Sequence, residues 1–406
     1  MDDVVAVLVA ARDEAAQIGE AVAGLRTSFP AARVIVADDG SRDDTAAAAE
    51  DAGAEVLRLP GRGKGQALTL AERLAPAGRI VLADADLAGD LAPLAVVGDD
   101  LSIAVFAERR GGGFGIAKGA ARALVRALSG YDPREPLSGQ RSLSQAARDA
   151  CFPAAAGFGC EVRMTIDAVR SGMRVSEVEL PLAHRATGRD ARGFGHRGRQ
   201  LLDALLACGP TAVNHRGLRL PLVGWIFLLR GRWPVRAIAA VGLADDLWSG
   251  EARGFRGHLR TRRSTGTLKL VGIPAIALAA TRSFGAAAVV SLSANFLNQL
   301  DTRPGRALKA FLLGTAVLRG PVRPAAIAVL IAPYDLREMT MLGDAGSNAL
   351  GAVLGFNSVM RSRGRRQWLA LGTLATLTAL GEMRSLGALI ERTPVLRELD
   401  ALGRQP

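Results

Sequence analysis

The chain has 406 residues, 49% of them apolar and only 4% aromatic, with a mean hydropathy of +0.19. That is too apolar for an enzyme soluble throughout and too polar for a chain lying wholly in a bilayer; the length suits two or three domains. The formal charge of +12 is uneven: residues 1–100 hold 18 acidic and 9 basic side chains, a net of −9, so the other 306 residues carry +21.

An acidic first part suits metal or sugar-hydroxyl chemistry, and a basic remainder suits phosphates or an anionic membrane surface. Cys151, Cys160 and Cys208 fall in no paired or metal-ligand spacing; they read as small buried residues in a reducing compartment. Met1 leads straight into "DDVVAVLVAA", without a basic leader and apolar h-region, so no signal peptide is expected and the N-terminus should be cytosolic.

In chain order, "VVAVLVAA" (4–11) has the length of a buried strand, and "EAAQIGEAVAGL" (14–25) shows helical spacing at Ile18, Val22 and Leu25. "ARVIVADDGS" (32–41) is a second strand, followed by a helix over 41–53 that Ser41 should cap. Strand 54–60, helix 65–75 and strand 78–84 complete the series. Such alternation with short links predicts an α/β, mostly parallel, Rossmann-like sheet flanked by helices, binding ligands beyond its carboxyl ends. From about residue 208 the character changes. Segments 268–280, 283–300, 339–360 and 367–381 are apolar with at most one charge each, separated by Arg-rich loops. They read as marginal membrane spans in an all-α, membrane-type helical domain. The domains are thus placed at 1–205 and 206–406.

"RIVLADADLAG" (79–89) ends a strand with Asp84 and Asp86. On extended backbone both would point the same way and could hold a divalent cation, Mg²⁺ or Mn²⁺, that in turn holds a diphosphate. Arg12, Asp13 and Glu14 leave the first strand, Asp38 and Asp39 the second, and "GRGKGQAL" sets Lys64 between glycines. Farther on, Asp245, Asp246, Asp301 and Asp344 stand out in the apolar half, where ionisable groups are usually functional.

With "ARDEA", "DDGSRDDT", "GKGQAL", "DADL", "LSGQRSLS" (137–144), "GFGCEVRMTIDAVRSG" (157–172) and "HRATGRD" (184–190), residues 4–203 resemble family 2 glycosyltransferases of the GT-A fold. The branch is that of polyprenyl-phosphate sugar synthases and glucosyl-phosphoglycerate synthase-like enzymes. The resemblance implies Arg12, Glu14, Asp38 and Asp39 for the nucleotide, Lys64 near the phosphates, and Asp84 with Asp86 for the metal. It places Gly139, Gln140 and Arg141 on the acceptor side, Glu161 as the polar catalytic group, and His184, Arg185 and Arg189 on a phosphate. Ala10 departs from the proline the family often has.

"NHRGLRLPLVG" (214–224), "GLADDLW", "NFLNQLD" (295–301) and "LGDAGSNALG" similarly resemble the polyprenyl-phosphate N-acetylhexosamine-1-phosphate transferases. That implies a metal at Asp344 helped by Asp301, nucleotide contacts from Asn295 and Asn298, and Asp245 or Asp246 at a lipid phosphate. Pro304 occupies the family's second acidic position, no late histidine-rich loop follows His258, and the segment is short.

The expected function is a metal-dependent transfer of a sugar from a nucleotide-sugar donor to a phosphate-bearing or lipid-linked acceptor in cell-envelope glycan synthesis. It would be fused to a sugar-1-phosphate transferase-like domain, with polyprenyl phosphate and membrane lipid as partners and no nucleic acid. The expected location is a membrane with the active sites on its cytoplasmic side. A glycosyltransferase with a mere membrane anchor, a non-catalytic scaffold and, less favoured, a nucleotidyltransferase are the alternatives; the last lacks its Gly-rich loop at "AARDEA".

Overall fold

Residues alternate in the first strand between two apolar environments. Val7 and Val9 pack with Ile18, Val22 and Leu25 on one side, and Ala6 and Leu8 pack with Ala67, Leu68 and Ala71 on the other. Both sets are fully or almost fully buried, as a central parallel strand requires. The computed structural model describes residues 3–86, 89–96, 98–106, 116–181, 191–229, 231–248, 265–362, 364–384 and 386–404. It divides into two compact units, one of residues 1–209 with 216–219, the other of 210–215 with 220–406. The division lies a little past the expected 205/206 boundary, because helix Ala191–Cys208 runs through that point.

The first unit opens with β1 (Val4–Ala11), α1 (Ile18–Ser28), β2 (Arg33–Asp38), α2 (Thr45–Asp51), β3 (Glu55–Arg58), α3 (Lys64–Glu72) and β4 (Arg79–Asp84). It continues with α4 (Ala92–Val96), β5 (Leu101–Phe106), α5 (Ile116–Ser129), β6 (Arg141–Leu143), α6 (Gln145–Cys151), α7 (Cys160–Arg170), β7 (Val175–Leu180) and α8 (Ala191–Cys208). The seven strands order as β3-β2-β1-β4-β6-β5-β7. All pairings are parallel except those of β6, which lies antiparallel between β4 and β5. The expected α/β sheet is therefore present, with one reversed strand that the sequence reading did not place.

The second unit is helical: α9 (Ile226–Leu229), α10 (Trp233–Trp248), α11 (Thr265–Thr281), α12 (Phe284–Leu300), α13 (Arg306–Val317) and α14 (Val322–Leu336). Then follow α15 (Gly343–Arg361), α16 (Arg365–Arg384), α17 (Leu386–Arg392) and α18 (Pro394–Ala401). α15 is the central element, buried from Ala345 to Gly355. It reaches its neighbours through glycine. A Cβ on Gly351 would collide with the Ser293 carbonyl and Ala294 Cα, and one on Gly355 with Val290 Cα. Arg306 on α13 binds Asp400 on α18 with two hydrogen bonds, of 3.0 and 2.7 Å.

The expected spans are corrected here. α12 has 17 residues and α15 has 19, about 26–29 Å at 1.5 Å per residue, against about 30 Å of hydrocarbon. α15 carries Asp344 in its first turn, and the 20 residues of α16 include Arg365, Arg366, Glu382 and Arg384. Among the described residues no helix is long and apolar enough to cross a membrane.

The glycine packing gives two substitutions of opposite sign. Gly351→Ala should destabilise the helical unit by about 1–3 kcal/mol through overpacking. Gly372→Ala, on exposed α16 with open space around it, should stabilise by about 0.5–1 kcal/mol through lost unfolded-state freedom. Urea unfolding of both variants checks the contrast; equal effects would contradict the packing.

Candidate functional site

Ala11 of β1 pairs with Asp38 of β2, and Ala10 with Asp84 of β4, so three parallel strands finish side by side. Their loops are laced together. Asp13, at φ +55, accepts the Arg42 N–H through Oδ1 at 2.8 Å, while its own N–H donates to Ser41 Oγ at 2.9 Å. The Glu14 N–H donates to Thr45 Oγ1 at 2.8 Å. Asp38 Oδ1 accepts the Ser41 N–H at 3.1 Å and also the Ser41 hydroxyl. Contrary to expectation Ser41 does not cap α2; that helix begins only at Thr45, after Asp44.

Asp39 is 5% exposed and accepts the Arg62 and Gly63 N–H groups at 2.5 and 2.7 Å. Burial raises its carboxyl above the usual range, against the pull of those two bonds and of nearby Arg12. The clamp shapes the turn that delivers Gly63, at φ +95, to the start of α3. An L side chain rarely adopts that φ, so glycine is required there. The next residue is Lys64.

The Lys64 ammonium donates to Asp84 Oδ1 at 2.6 Å and lies 2.7 Å from Glu161 Oε1, at the start of α7. Burial works against its charge, but Asp84 and Glu161 more than offset that and hold its pKa well above the lysine range. Gln140 Nε2 donates to Asp84 Oδ2 at 2.8 Å, and Cys160 Sγ to Glu161 Oε2 at 3.1 Å. Gly139 presses on the Asp84 carboxylate so closely that a Cβ would collide with both oxygens.

Several expected roles change. Arg141 and Gln140 do not line an acceptor surface: β6 sits inside the sheet, leaving them 0% and 1% exposed. Arg141 donates to Ser138 O, Thr165 Oγ1 and Pro136 O, and burial lowers its pKa. Asp84 has each carboxylate oxygen engaged by the protein itself. β4 ends at Asp84, so Asp86 lies in the following turn and the same-side alternation does not reach it. Among the described residues no hydrogen bond or ion pair engages the Asp86 carboxylate. Glu14 is held above the carboxylate range by burial and then by Asp86, Asp43, Asp13 and Asp84. His184, Arg185 and Arg189 lie outside the described residues.

The acids around Glu14 form a region of negative potential that fits a cation. Among the described residues no group of three His, Cys, Asp or Glu side chains can hold a metal unaided. Mg²⁺ needs only one or two carboxylates beside substrate phosphates. Asp86 is the carboxylate free to provide that anchor.

The helical unit brings together most of the acids expected there, around a lysine that sequence reading passed over. Lys269 Nζ donates to Asp344 Oδ2 at 2.6 Å and to Asp245 Oδ2 at 3.1 Å. Asn298, with its amide turned to satisfy its neighbours, donates to Asp344 Oδ1 at 2.6 Å and Ser347 Oγ at 2.9 Å, and accepts from Lys269 at 3.1 Å. Asp246 accepts the Asp344 and Ala345 N–H groups at the N-terminus of α15, each at 2.9 Å. It is thus a helix cap, not a group presented to a lipid phosphate. Burial, then Asp335, Asp344 and Asp246, push Asp301 well above the carboxylate range. Asn295 Nδ2 is buried without a partner among the described residues. The metal expected at Asp344 does not fit this arrangement, since both Asp344 oxygens are taken by Lys269 and Asn298. The one sequence signal for Lys269 was its being the only charge in 268–280.

Two expectations follow from these charges. Lys64→Met strands Asp84 and Glu161 against each other and should remove about 3–5 kcal/mol at pH 8. Protonating a stranded carboxylate relieves the repulsion, so the deficit against wild type should shrink as pH falls toward 5; denaturant melts across pH check it, and a constant deficit would contradict the ion triad. In the helical unit, burial raises Asp246 to about 6 and Asp344 to about 7. Between the unfolded carboxylate value near ~4 and these values the folded state binds more protons, so stability should fall as pH rises from about 4 to about 7 and then level off. Asp344→Asn should shorten that falling limb, and an unchanged profile would contradict it.

Residues 6–89 match the family model "Glycosyl transferase family 2". The chain is 30% identical over 200 residues to glycosyltransferase AglJ of Haloferax volcanii, covering 46% of this chain and 66% of AglJ. It is 39% identical over 61 residues to protein RfbJ of Shigella flexneri, covering 15% of this chain and 47% of RfbJ. The chain thus spans less than two thirds of the length of either relative. Among solved structures it is similar to glucosyl-3-phosphoglycerate synthase from Mycobacterium tuberculosis in complex with Mn²⁺, uridine diphosphate and phosphoglyceric acid. There the identity is 27%, the coverage 51% of this chain and 79% of that one, and the TM-score 0.44. Over its first four strands the N-terminal part of the chain therefore resembles family 2 glycosyltransferases.

Proposed function

We propose that the N-terminal unit transfers a sugar from a nucleotide-sugar donor, with a divalent cation, to a phosphate-bearing acceptor. The observation that carries this reading is the division of labour at the strand ends. Asp84 is locked to Lys64 and Gln140, while Asp86, two residues later and half-buried, has no such partner among the described residues and lies within electrostatic reach of Glu14. A cation anchored at Asp86 would neutralise charge developing on the departing diphosphate.

The protein's own groups then have separate duties. Asp39 shapes the glycine turn and, with Arg12 nearby, borders the nucleotide side. Lys64, already balanced by two carboxylates, holds the loop of β4 and the start of α7 in register. Glu161 has one oxygen on Lys64 and the other on Cys160. Its role is therefore to orient Lys64 and not to take a proton from the acceptor. The phosphate preference of the acceptor is inferred from the basic "HRATGRD" segment.

A second reading concerns the helical unit. The gathering of Asp245, Lys269, Asn298, Asp301 and Asp344 near the ends of α10, α11, α12 and α15 favours a polar site for a sugar-1-phosphate group.

Product analysis on the full chain with a panel of nucleotide sugars separates the two. Mn²⁺-stimulated release of nucleoside diphosphate should fall at least about 100-fold in Asp86→Asn and stay within about twofold of wild type in Asp344→Asn. Release of nucleoside monophosphate, if the second site turns over, should show the opposite sensitivity. No metal-stimulated diphosphate release from any donor would overturn the first reading.

A further inference from the structure

Around an apolar interior that includes Phe227, Leu297, Phe311 and Leu350, the helical unit also turns apolar faces outward. On α14 the buried positions are Ala328 and Asp335, while Val322, Ala326, Val329, Leu330, Pro333 and Tyr334 are exposed. These six recur at helical spacing on one face. Val322 is 80% and Leu330 71% exposed. That face carries no acid and is bounded by Arg323 and Arg337. α11 repeats the pattern: Leu268, Val271, Pro274 and Ala275 are exposed, while Lys269 turns inward to Asp245 and Asp344. Its outer face ends at Arg282, two residues before Phe284, which is 82% exposed. On α16, exposed Trp368 and Leu369 lie in the first turns of the helix that Arg365 and Arg366 open.

We propose that these outer faces dock on an anionic lipid bilayer, the apolar side chains entering the acyl boundary and the flanking arginines meeting headgroup phosphates. Apolar stripes this long are rarely left bare on a soluble monomer. The charge pattern selects the occupant. An arginine-bounded apolar face without carboxylates complements a surface that is apolar within and anionic at its rim. A second copy of the same face would instead bring arginine against arginine. Helix length sets the depth: the 15 residues of α14 reach about 22 Å, short of the roughly 30 Å core, so the faces lie along the interface. The inference does not depend on either transferase reading.

Flotation of the full chain with phosphatidylcholine vesicles, with and without phosphatidylglycerol, tests it. Wild type should float with the phosphatidylglycerol vesicles and far less with phosphatidylcholine alone. Val329→Asp combined with Leu330→Asp should lower partitioning at least tenfold with an unchanged melting temperature, since both side chains are exposed. Arg282→Gln and Arg323→Gln should each weaken binding to the anionic vesicles about fivefold and leave phosphatidylcholine binding unaltered. Absence of flotation with either lipid, or equal flotation of the double-aspartate variant, would overturn the proposal. So would a dimer, seen by light scattering and dissolved by the double substitution, without vesicle binding.

Discussion

The first unit depends on one buried ammonium. Lys64 bridges Asp84 at the end of β4 and Glu161 at the start of α7, so a helix start and a strand end that are far apart in sequence share one charge centre. Two carboxylates and one lysine cannot be buried in isolation; Gln140 and Cys160 supply the remaining hydrogen bonds, and Arg141 lies within electrostatic reach behind them. Removing Lys64 leaves two carboxylates without compensation, which is far more damaging than the ion pairs are stabilising. Both Asp84 oxygens are engaged in this arrangement, which is why the proposed cation is placed at Asp86.

Much of this was legible in the sequence because parallel strands buried on both faces must be continuous apolar runs. β1 and β4 fall within a residue of their expected limits for that reason, and β2 starts within one but ends at Asp38, where the expected stretch 32–41 passes into the turn. The acids at their ends stood out as charges with no place in a buried strand. The antiparallel insertion was not legible: β6 is three residues long and its arginine reads as a surface group. Only the pairing of Arg141 with Leu82 and Ile103 across the sheet reveals it as interior. The same limit applies to Asp84, whose partners lie twenty or more residues away in the chain.

In the helical unit the acidic motifs and most of the helices were visible, since 268–280, 283–300 and 367–381 each coincide with one helix to within a few residues. Only 339–360 ran a helix and its preceding loop together, and it is the helices' lengths of 17–20 residues and their charged ends that fall short of a span. Lys269 was hidden by its surroundings, a single charge in an apolar run. Its position is explained once the opposite face of α11 is seen to be bare: the helix turns its polar residue inward and its apolar residues out. One constraint operates in both units, a buried lysine balanced by two acids, but in the first an additional aspartate remains available and in the second the acids are consumed by the protein.

The most direct test of that central claim is anomalous diffraction from crystals soaked with Mn²⁺ and a nucleoside diphosphate. The account expects a manganese peak about 2.1 Å from an Asp86 oxygen, with Lys64 still bonded to Asp84 and Glu161. A peak ligated by Asp84, with Lys64 displaced from it, would contradict the account.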